Sequence, residues 1–535
     1  MKARILALDM KPGWPAALLA LLVLGGALRT VQYAGRVSLW HDELAIARNI
    51  ESRDIRDLIA RPLDHRQVAP VGFLVGVKVA TRILGVNELG LRFTPWLAGM
   101  LALPLFWRVA ARFGSGRPLL AGVAIFAASP ALVWYSGSVK QYGIDLAVSL
   151  LLVWFALRIL EGPRRLRDIA AASVGGGVAV VFSHPAVVTA FVLGCVLAAW
   201  AATGPWRARG PAVAAIAVGW GTGALIAAAS AMAILDPDTA RFMEGFWREG
   251  FPPAWSHPLA LLVWLPRQLF SVFAHFLIFF TPLPLVLLLV VPLVLVAAIG
   301  LPVLARLYPW QTVIVSAPMV AGVAAAVAGL LPFRHRLALH AAWPILVFAV
   351  VGLQRIENRL RVQWPALAPV APAVAAAPLV LVVLLAARPP YDSGQESRPI
   401  VAELARRWKP GDGLYVYCGG RHAVSFYGPR QGLSEWTAND CNNGDPRAYL
   451  REVDAFRGRS RVWFFSMLFP DDDATIVRAY LRTIGTEDET IVGESVAGGG
   501  GRIIDVYRYD LSDPARLAVV TAAEFAWPAA RAAAR

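Results

Sequence analysis

Residues 282–304 read PLPLVLLLVVPLVLVAAIGLPVL, a run without one charged side chain. About 18 or more consecutive apolar residues make a bilayer-spanning helix. Working outward, similar runs lie at 14–33, 91–111, 117–137, 141–161, 168–183, 186–203, 211–234, 309–331, 337–353 and 365–387. Two more, 70–84 and 258–280, are interrupted: the first by Lys78, the second by Pro266, Arg267 and Gln268. The 535 residues are 57% hydrophobic and 16% charged, against roughly 25% charged in soluble domains, with a mean hydropathy of +0.55. These values exclude a soluble enzyme, a disordered chain and a small disulfide scaffold. They imply a polytopic α-helical membrane protein of about 11–13 spans.

The formal net charge is +15, yet residues 391–535 hold 18 basic and 20 acidic residues. The basic excess therefore lies between apolar runs, where it marks cytoplasmic turns and not a nucleic-acid surface. These turns are Arg108/Arg112/Arg117, Arg158/Arg164/Arg165/Arg167, Arg207/Arg209, Arg306 and Arg355/Arg359/Arg361. They alternate correctly only if 70–84 and 258–280 lie at the outer interface, which gives eleven spans; if both cross there are thirteen. Either odd number leaves the C-terminus outside. Lys2, Arg4 and Lys11 precede the first run and no small-residue cleavage site follows it, which reads as an uncleaved span with a cytoplasmic N-terminus. A membrane domain then covers 1–390, with outer loops at 34–90 and 235–281. After Arg388-Pro389-Pro390 the pattern becomes soluble: VAELARRW, GLYVYC, AYLREVDAF, RVWFFSML and ATIVRAYLRTIG alternate helix-like with strand-like. This predicts a small outer α/β domain at 391–513, with 514–535 as a tail. Cys195 lies in a span as packing. Cys418 and Cys441 both fall in the outer domain and are candidates to pair in an oxidising compartment.

The first outer loop opens with SLWHDELAIARNI, residues 38–50. Asp42 and Glu43 suit a helix N-terminus or, alternatively, a general base at the membrane surface. In FMEGFWREGFPPAW, residues 242–255, the aromatics suit either a cover over a sugar or an interfacial belt. Asp471, Asp472 and Asp473 precede a helix-like stretch and read as its cap. No Cys/His zinc pattern, P-loop or dinucleotide fingerprint is present.

Four segments in order then carry a resemblance: the Asp42-Glu43 pair, DHRQVAPVGFLVGVKVATRILGVNELGLRF from residue 64, SPALVWYSGSVKQYGIDL from 129 and LPFRHRLALHAAWP from 331. Together they resemble the GT-C superfamily of membrane glycosyltransferases. The flavour is the bacterial branch similar to protein O-mannosyltransferases and the lipid A aminoarabinose transferase. Where that branch has His-Pro-Pro-Leu-Tyr, this chain has Gln67-Val68-Ala69-Pro70-Val71-Gly72-Phe73, with His65 two residues before. The resemblance implies a polyprenyl-phosphate-linked sugar donor and a hydroxyl acceptor on a lipid, glycan or protein. It implies transfer on the outer face of a bacterial cytoplasmic membrane with inversion at the anomeric carbon. Asp42 would be the base, and Glu43 would orient the site or assist in binding. Lys140, Tyr142, Arg334 and Arg336 would meet the donor phosphate, whose departing charge needs fixed cations; snorkelling anchors are the other reading of these cations. His65, Gln67, Asp145, His184 and Trp247 are candidate cavity lining, and a divalent cation beside the acidic pair is allowed. The rival is a non-catalytic transporter or flippase of a lipid-linked sugar, for which an inverted repeat is expected; none is found.

Overall fold

The computed structural model describes residues 14–162, 165–254, 258–277, 283–366, 387–391, 393–438, 447–467, 472–492 and 504–525, with 256, 377, 380, 383 and 384. Two compact units emerge: residues 1–36 with 49–391, and residues 37–48 with 392–535.

In chain order the helices are α1 (Trp14–Ala34), α2 (His41–Ser52), α3 (Ile55–Ala60), α4 (Val71–Leu84), α5 (Glu88–Ala110), α6 (Gly116–Ala128), α7 (Pro130–Ser136), α8 (Tyr142–Leu160), α9 (Leu166–Val180), α10 (His184–Ala202), α11 (Trp206–Ile234), α12 (Pro237–Phe246), α13 (Pro258–Leu277), α14 (Leu283–Leu307) and α15 (Pro309–Val327). A 3-10 segment, His335–Ala341, leads into α16 (Pro344–Gln363). Among the described residues, eight helices are long and apolar enough to cross a membrane: α1, α5, α8, α10, α11, α13, α14 and α15. The number reaches ten if α6 with α7, bent by 47°, and the 3-10 segment with α16, bent by 53°, each count once. The α6–α7 bend falls at Pro130, which has no amide hydrogen to continue the helix. Most of the run 365–387 lies outside the described residues.

Contacts sort the helix ends of this first unit into two layers. In one, Arg112 meets Glu161 at 2.6 Å, Ser115 N donates to Gln354 Oε1 at 3.2 Å, and the Phe113 and Tyr308 rings are 6.5 Å apart. In the other, Gly72 N donates to Val181 O at 3.1 Å, Phe333 N to Gly250 O at 2.8 Å, and Tyr33 Oη to Leu89 O at 3.1 Å. Both ends of α4 fall in the second layer, because Gly72 begins it and Leu89 follows it within five residues of its end. Its 14 residues therefore run along the layer instead of through the slab. α13 passes the length test, but its polar contacts also belong to the second layer. Trp264 Nε1 and Gln268 Nε2 donate to Glu249 O at 3.2 and 2.8 Å, and the His275 ring lies 5.9 Å from that of His335.

In the second unit, α17 (Ser397–Arg407), α18 (Arg421–Tyr427), α19 (Arg447–Asp454), α20 (Asp472–Ile484) and α21 (Pro514–Leu517) accompany a five-stranded sheet. The strands are β1 (Gly413–Val416), β2 (Thr437–Ala438), β3 (Val462–Met467), β4 (Thr486–Val492) and β5 (Ile504–Asp510), in the order β2-β1-β3-β5-β4. β1 pairs in parallel with β2 and β3, whereas β5 is antiparallel to both β3 and β4. Tyr415, Phe464, Tyr480 and Tyr509 are core residues. Residues 514–525, read as tail from the sequence, are docked. Arg457 donates to Leu517 O and Val520 O at 2.5 Å each, and Phe525 packs edge-on against Tyr480 at 5.2 Å. The side chains of Asp471, Asp472 and Asp473 lie outside the described residues, as does Cys441; Cys418 is buried.

Candidate functional site

The residues singled out by sequence divide between the two units. In the first, the tight turn after α7 brings Lys140 to the start of α8. Lys140 is only 6% exposed, and its Nζ donates to Gln67 Oε1 at 2.8 Å. Tyr142, in the first turn of α8, accepts a hydrogen bond on Oη from Arg336 Nε at 3.2 Å. The Arg336 guanidinium also lies 5.1 Å from the Trp247 ring centroid and 5.9 Å from that of Tyr142. Two groups thus adjoin along the chain in the second layer, Lys140 with Gln67 and, two residues on, Tyr142 with Arg336 and Trp247, although nearly two hundred residues separate Tyr142 from Arg336.

His335 has a φ of 40°, a left-handed backbone that few non-glycine residues adopt. It sends its two neighbours to different partners. Arg334 goes to Glu249 at 2.5 Å, where Arg267 also binds at 3.3 Å. The carboxylate therefore takes up Arg334, and Arg336 is the arginine of the pair that faces the Lys140 side. His65 is exposed, with a φ of 65°; its carbonyl accepts from Gln67 Nε2 at 3.2 Å. Asp145 and His184 are in neither group but line an adjoining cavity.

The group around Tyr142 also contains residues that motif reading passed over. Tyr135 Oη and His275 Nε2 are 3.0 Å apart, and the Tyr135 and Tyr142 rings meet edge-on at 5.1 Å. The available signal was a histidine inside the apolar run 258–280, since an ionisable residue there is a functional candidate by default.

The acidic pair belongs to the second unit. α2 starts at His41, and Glu43, fully buried, accepts from Trp40 N at 3.2 Å. That is the return half of a capping box, so Glu43 holds the helix start. Asp42, one residue earlier in the first turn, is half-buried. The approach to α2 is pinned by Ser38 Oγ to Glu396 Oε2 at 2.9 Å, Leu39 N to Tyr427 Oη at 2.9 Å and His41 N to Gln395 Oε1 at 2.8 Å. The His41 and His422 rings are 5.0 Å apart. Among the described residues no group of three or more His, Cys, Asp or Glu is placed to hold a metal ion.

No protein-family model matches the sequence, and no curated protein matches it either. Solved structures do match in fold. ArnT from Cupriavidus metallidurans in the apo state has a TM-score of 0.54 at 14% identity, covering 94% of this chain and 98% of that one. The same protein bound to undecaprenyl phosphate gives 0.54 at 14%, covering 93% and 98%. The apo oligosaccharyltransferase of Archaeoglobus fulgidus gives 0.51 at 11%, covering 90% of this chain and 73% of that one. The chain shares its fold with these structures. The fold extends over nearly the whole sequence and includes the unit after residue 391. Within it, one unit carries Lys140 and, two residues on, the group of Tyr142, Arg336 and Trp247, residue types able to hold an anion. The other carries a capped helix that presents Asp42.

Proposed function

We infer that the chain is a multi-pass membrane glycosyltransferase that moves a sugar from a polyprenyl-phosphate donor to a hydroxyl acceptor. The observation that carries this reading is the Arg336–Tyr142 hydrogen bond at the start of α8, two residues after the buried Lys140. Two cations there would bind the phosphate of the donor and stabilise the charge it gains as the sugar leaves. Asp42 takes the proton of the acceptor hydroxyl as that oxygen attacks the anomeric carbon, and Glu43 keeps the helix start in place. One displacement of this kind inverts the anomeric centre. The basic end layer faces the cytoplasm by the positive-inside rule. The reaction then occurs on the outer face, with the C-terminal unit on the acceptor side of a bacterial inner membrane.

The test is Asp42→Asn. Sugar transfer should fall by about 10²–10⁴-fold, the usual cost of losing a positioned base, with membrane insertion and donor binding kept. Transfer at the wild-type rate would remove Asp42 from the mechanism. Translocation of lipid-linked sugar in purified vesicles with no transfer would make the chain a transporter.

A further inference from the structure

Next to the Tyr142–Arg336 group lies a cavity of about 70 Å³, walled by the first turn of α8, the start of α10, α15 and residues 331–340. Its polar lining is Gln141, Asp145, His184 and His340. Asp145 and His340 are only 4% and 5% exposed. Yet Asp145 Oδ1, His184 Nε2 and Gln141 Oε1 have no hydrogen-bond partner among the described residues, and the His340 ring reaches only the Leu337 backbone. The Ser183 hydroxyl meets the Asp145 carboxyl and leaves Oδ1 over. Buried polar atoms are nearly always paired. Four unpartnered atoms, one on each of four side chains around one cavity, therefore mark a place that something polar fills.

The chemistry of the lining narrows the occupant. The amide oxygen and the leftover carboxyl oxygen can accept, while the imidazoles bring nitrogens that donate or accept. A phosphate, whose oxygens chiefly accept, is a poor match for the amide and carboxyl oxygens that face the space. Hydroxyl groups match, since each donates once and accepts as well. The space is well below the roughly 150 Å³ of an apolar cavity that admits benzene, so the edge of a ring enters and the whole ring does not. Position narrows it further. Asp145 lies three residues after Tyr142 on α8, hence on the same side of the helix, and the lining residue Leu337 directly follows Arg336. A group attached to a phosphate held by Lys140 and Arg336 starts beside this cavity.

We propose that the cavity is a hydroxyl-binding subsite that takes the sugar of the lipid-linked donor by the hydroxyl-bearing edge of its ring. The proposal rests on the donor reading above and adds the residues that recognise the sugar.

The test uses full-length protein in nanodiscs and two kinds of probe: undecaprenyl phosphate alone, and a panel of undecaprenyl-phosphate pentoses and hexoses. At least one sugar-bearing probe should bind tenfold or more tighter than the bare lipid phosphate. His340→Phe removes an imidazole partner, and Ala321→Leu fills the cavity from α15 while leaving its polar groups in place. Both should abolish that gain and leave binding of the bare lipid phosphate within twofold, which also shows that the variants are folded. A gain that survives in both variants would overturn the proposal and leave the cavity to water. So would a panel with no member that gains over the bare lipid, with the phosphate site still standing. Failure of wild-type protein to bind undecaprenyl phosphate at all would instead bring down the donor reading, and this proposal with it.

Discussion

Arg336 does several things at once: its Nε bonds Tyr142 while its plane lies over the Trp247 ring. A lysine keeps the charge and loses both the fork and the stacking. Arg336→Lys should therefore weaken donor binding or turnover at least tenfold without lowering the amount of protein in the membrane. Wild-type kinetics would return Arg336 to the role of an interfacial anchor. Arg29 is the structural counterpart, an arginine buried in a span for a reason visible four residues before Pro130. Phe126 O has lost its helical donor to the proline. The Arg29 guanidinium donates to it at 3.3 Å, and to Ala127 O and Gly25 O at 2.7 and 3.0 Å. Each carbonyl left unpaired in an apolar setting costs about 1–3 kcal/mol, and lipid offers no substitute donor. With Phe126 O and Ala127 O left unpaired, Arg29→Leu should destabilise the protein by about 2–6 kcal/mol, read as a lower thermal midpoint in nanodiscs. An unchanged midpoint would mean that the α6–α7 break is satisfied in another way.

At the scale of elements, β4 explains what a sequence hides. Its TEDETIV looks like a polar loop, yet its acids are spent on arginines from neighbouring elements. Glu487 accepts from Arg478, Arg482 and Tyr509 at 3.0, 2.8 and 2.9 Å, and Arg407 and Arg508 reach Glu489. Burial alone would raise the Glu487 carboxyl, but the hydrogen bonds from Arg482, Arg478 and Tyr509 outweigh it and hold it at about 2, below an ordinary value of 4.5. A carboxyl lowered by folding contributes its full stability above its unfolded value and loses it as pH falls towards the folded one. Amides of β4 and β5 should therefore lose hydrogen-exchange protection between about pH 5 and pH 2. Glu487→Gln should flatten that limb and lower protection at neutral pH. Identical pH profiles in the two proteins would remove Glu487 from the acid response. The helices and strands carried by apolar periodicity were legible: α1, α8, α14, α20 and β3 all stand where their patterns put them. The docking of residues 37–48 was not. Its partners Gln395, Glu396 and Tyr427 lie 354 to 388 residues away, and no local pattern reports so distant a pairing. The site was legible where a cation stood against the positive-inside bias, as at Lys140 and Arg336. It was illegible where the contributing residue was a lone tyrosine or histidine in an apolar run, as at Tyr135, His275 and His340.

For the whole molecule, the two layers of helix ends are the frame on which every functional claim depends. Arg112, Arg117, Arg158, Arg306 and Arg355 share the layer in which Arg112 meets Glu161 and Ser115 meets Gln354. Lys140, Arg334 and Arg336 share the layer of Gly72, Val181, Gly250 and Phe333. A bilayer sorts such charges by compartment, so the first layer should be cytoplasmic and the second external. Reporter fusions after Arg165 and after Tyr391 should then give opposite compartment signals, and matching signals would sink both the orientation and an outer-face reaction. The sharper test falls on α13, which length and hydropathy alone would make a span. Residues 249–250 touch residues 333–334 directly, so an even number of crossings must lie between them. α14 and α15 are joined through Tyr308 alone and already supply two. Single cysteines introduced at Ala254 and Leu331 should therefore react alike with an impermeant thiol reagent from outside, and one at Arg306 should not. Opposite labelling of Ala254 and Leu331 would turn α13 into a true span, and the Glu249–Arg334 contact would then have no compartment in which to form.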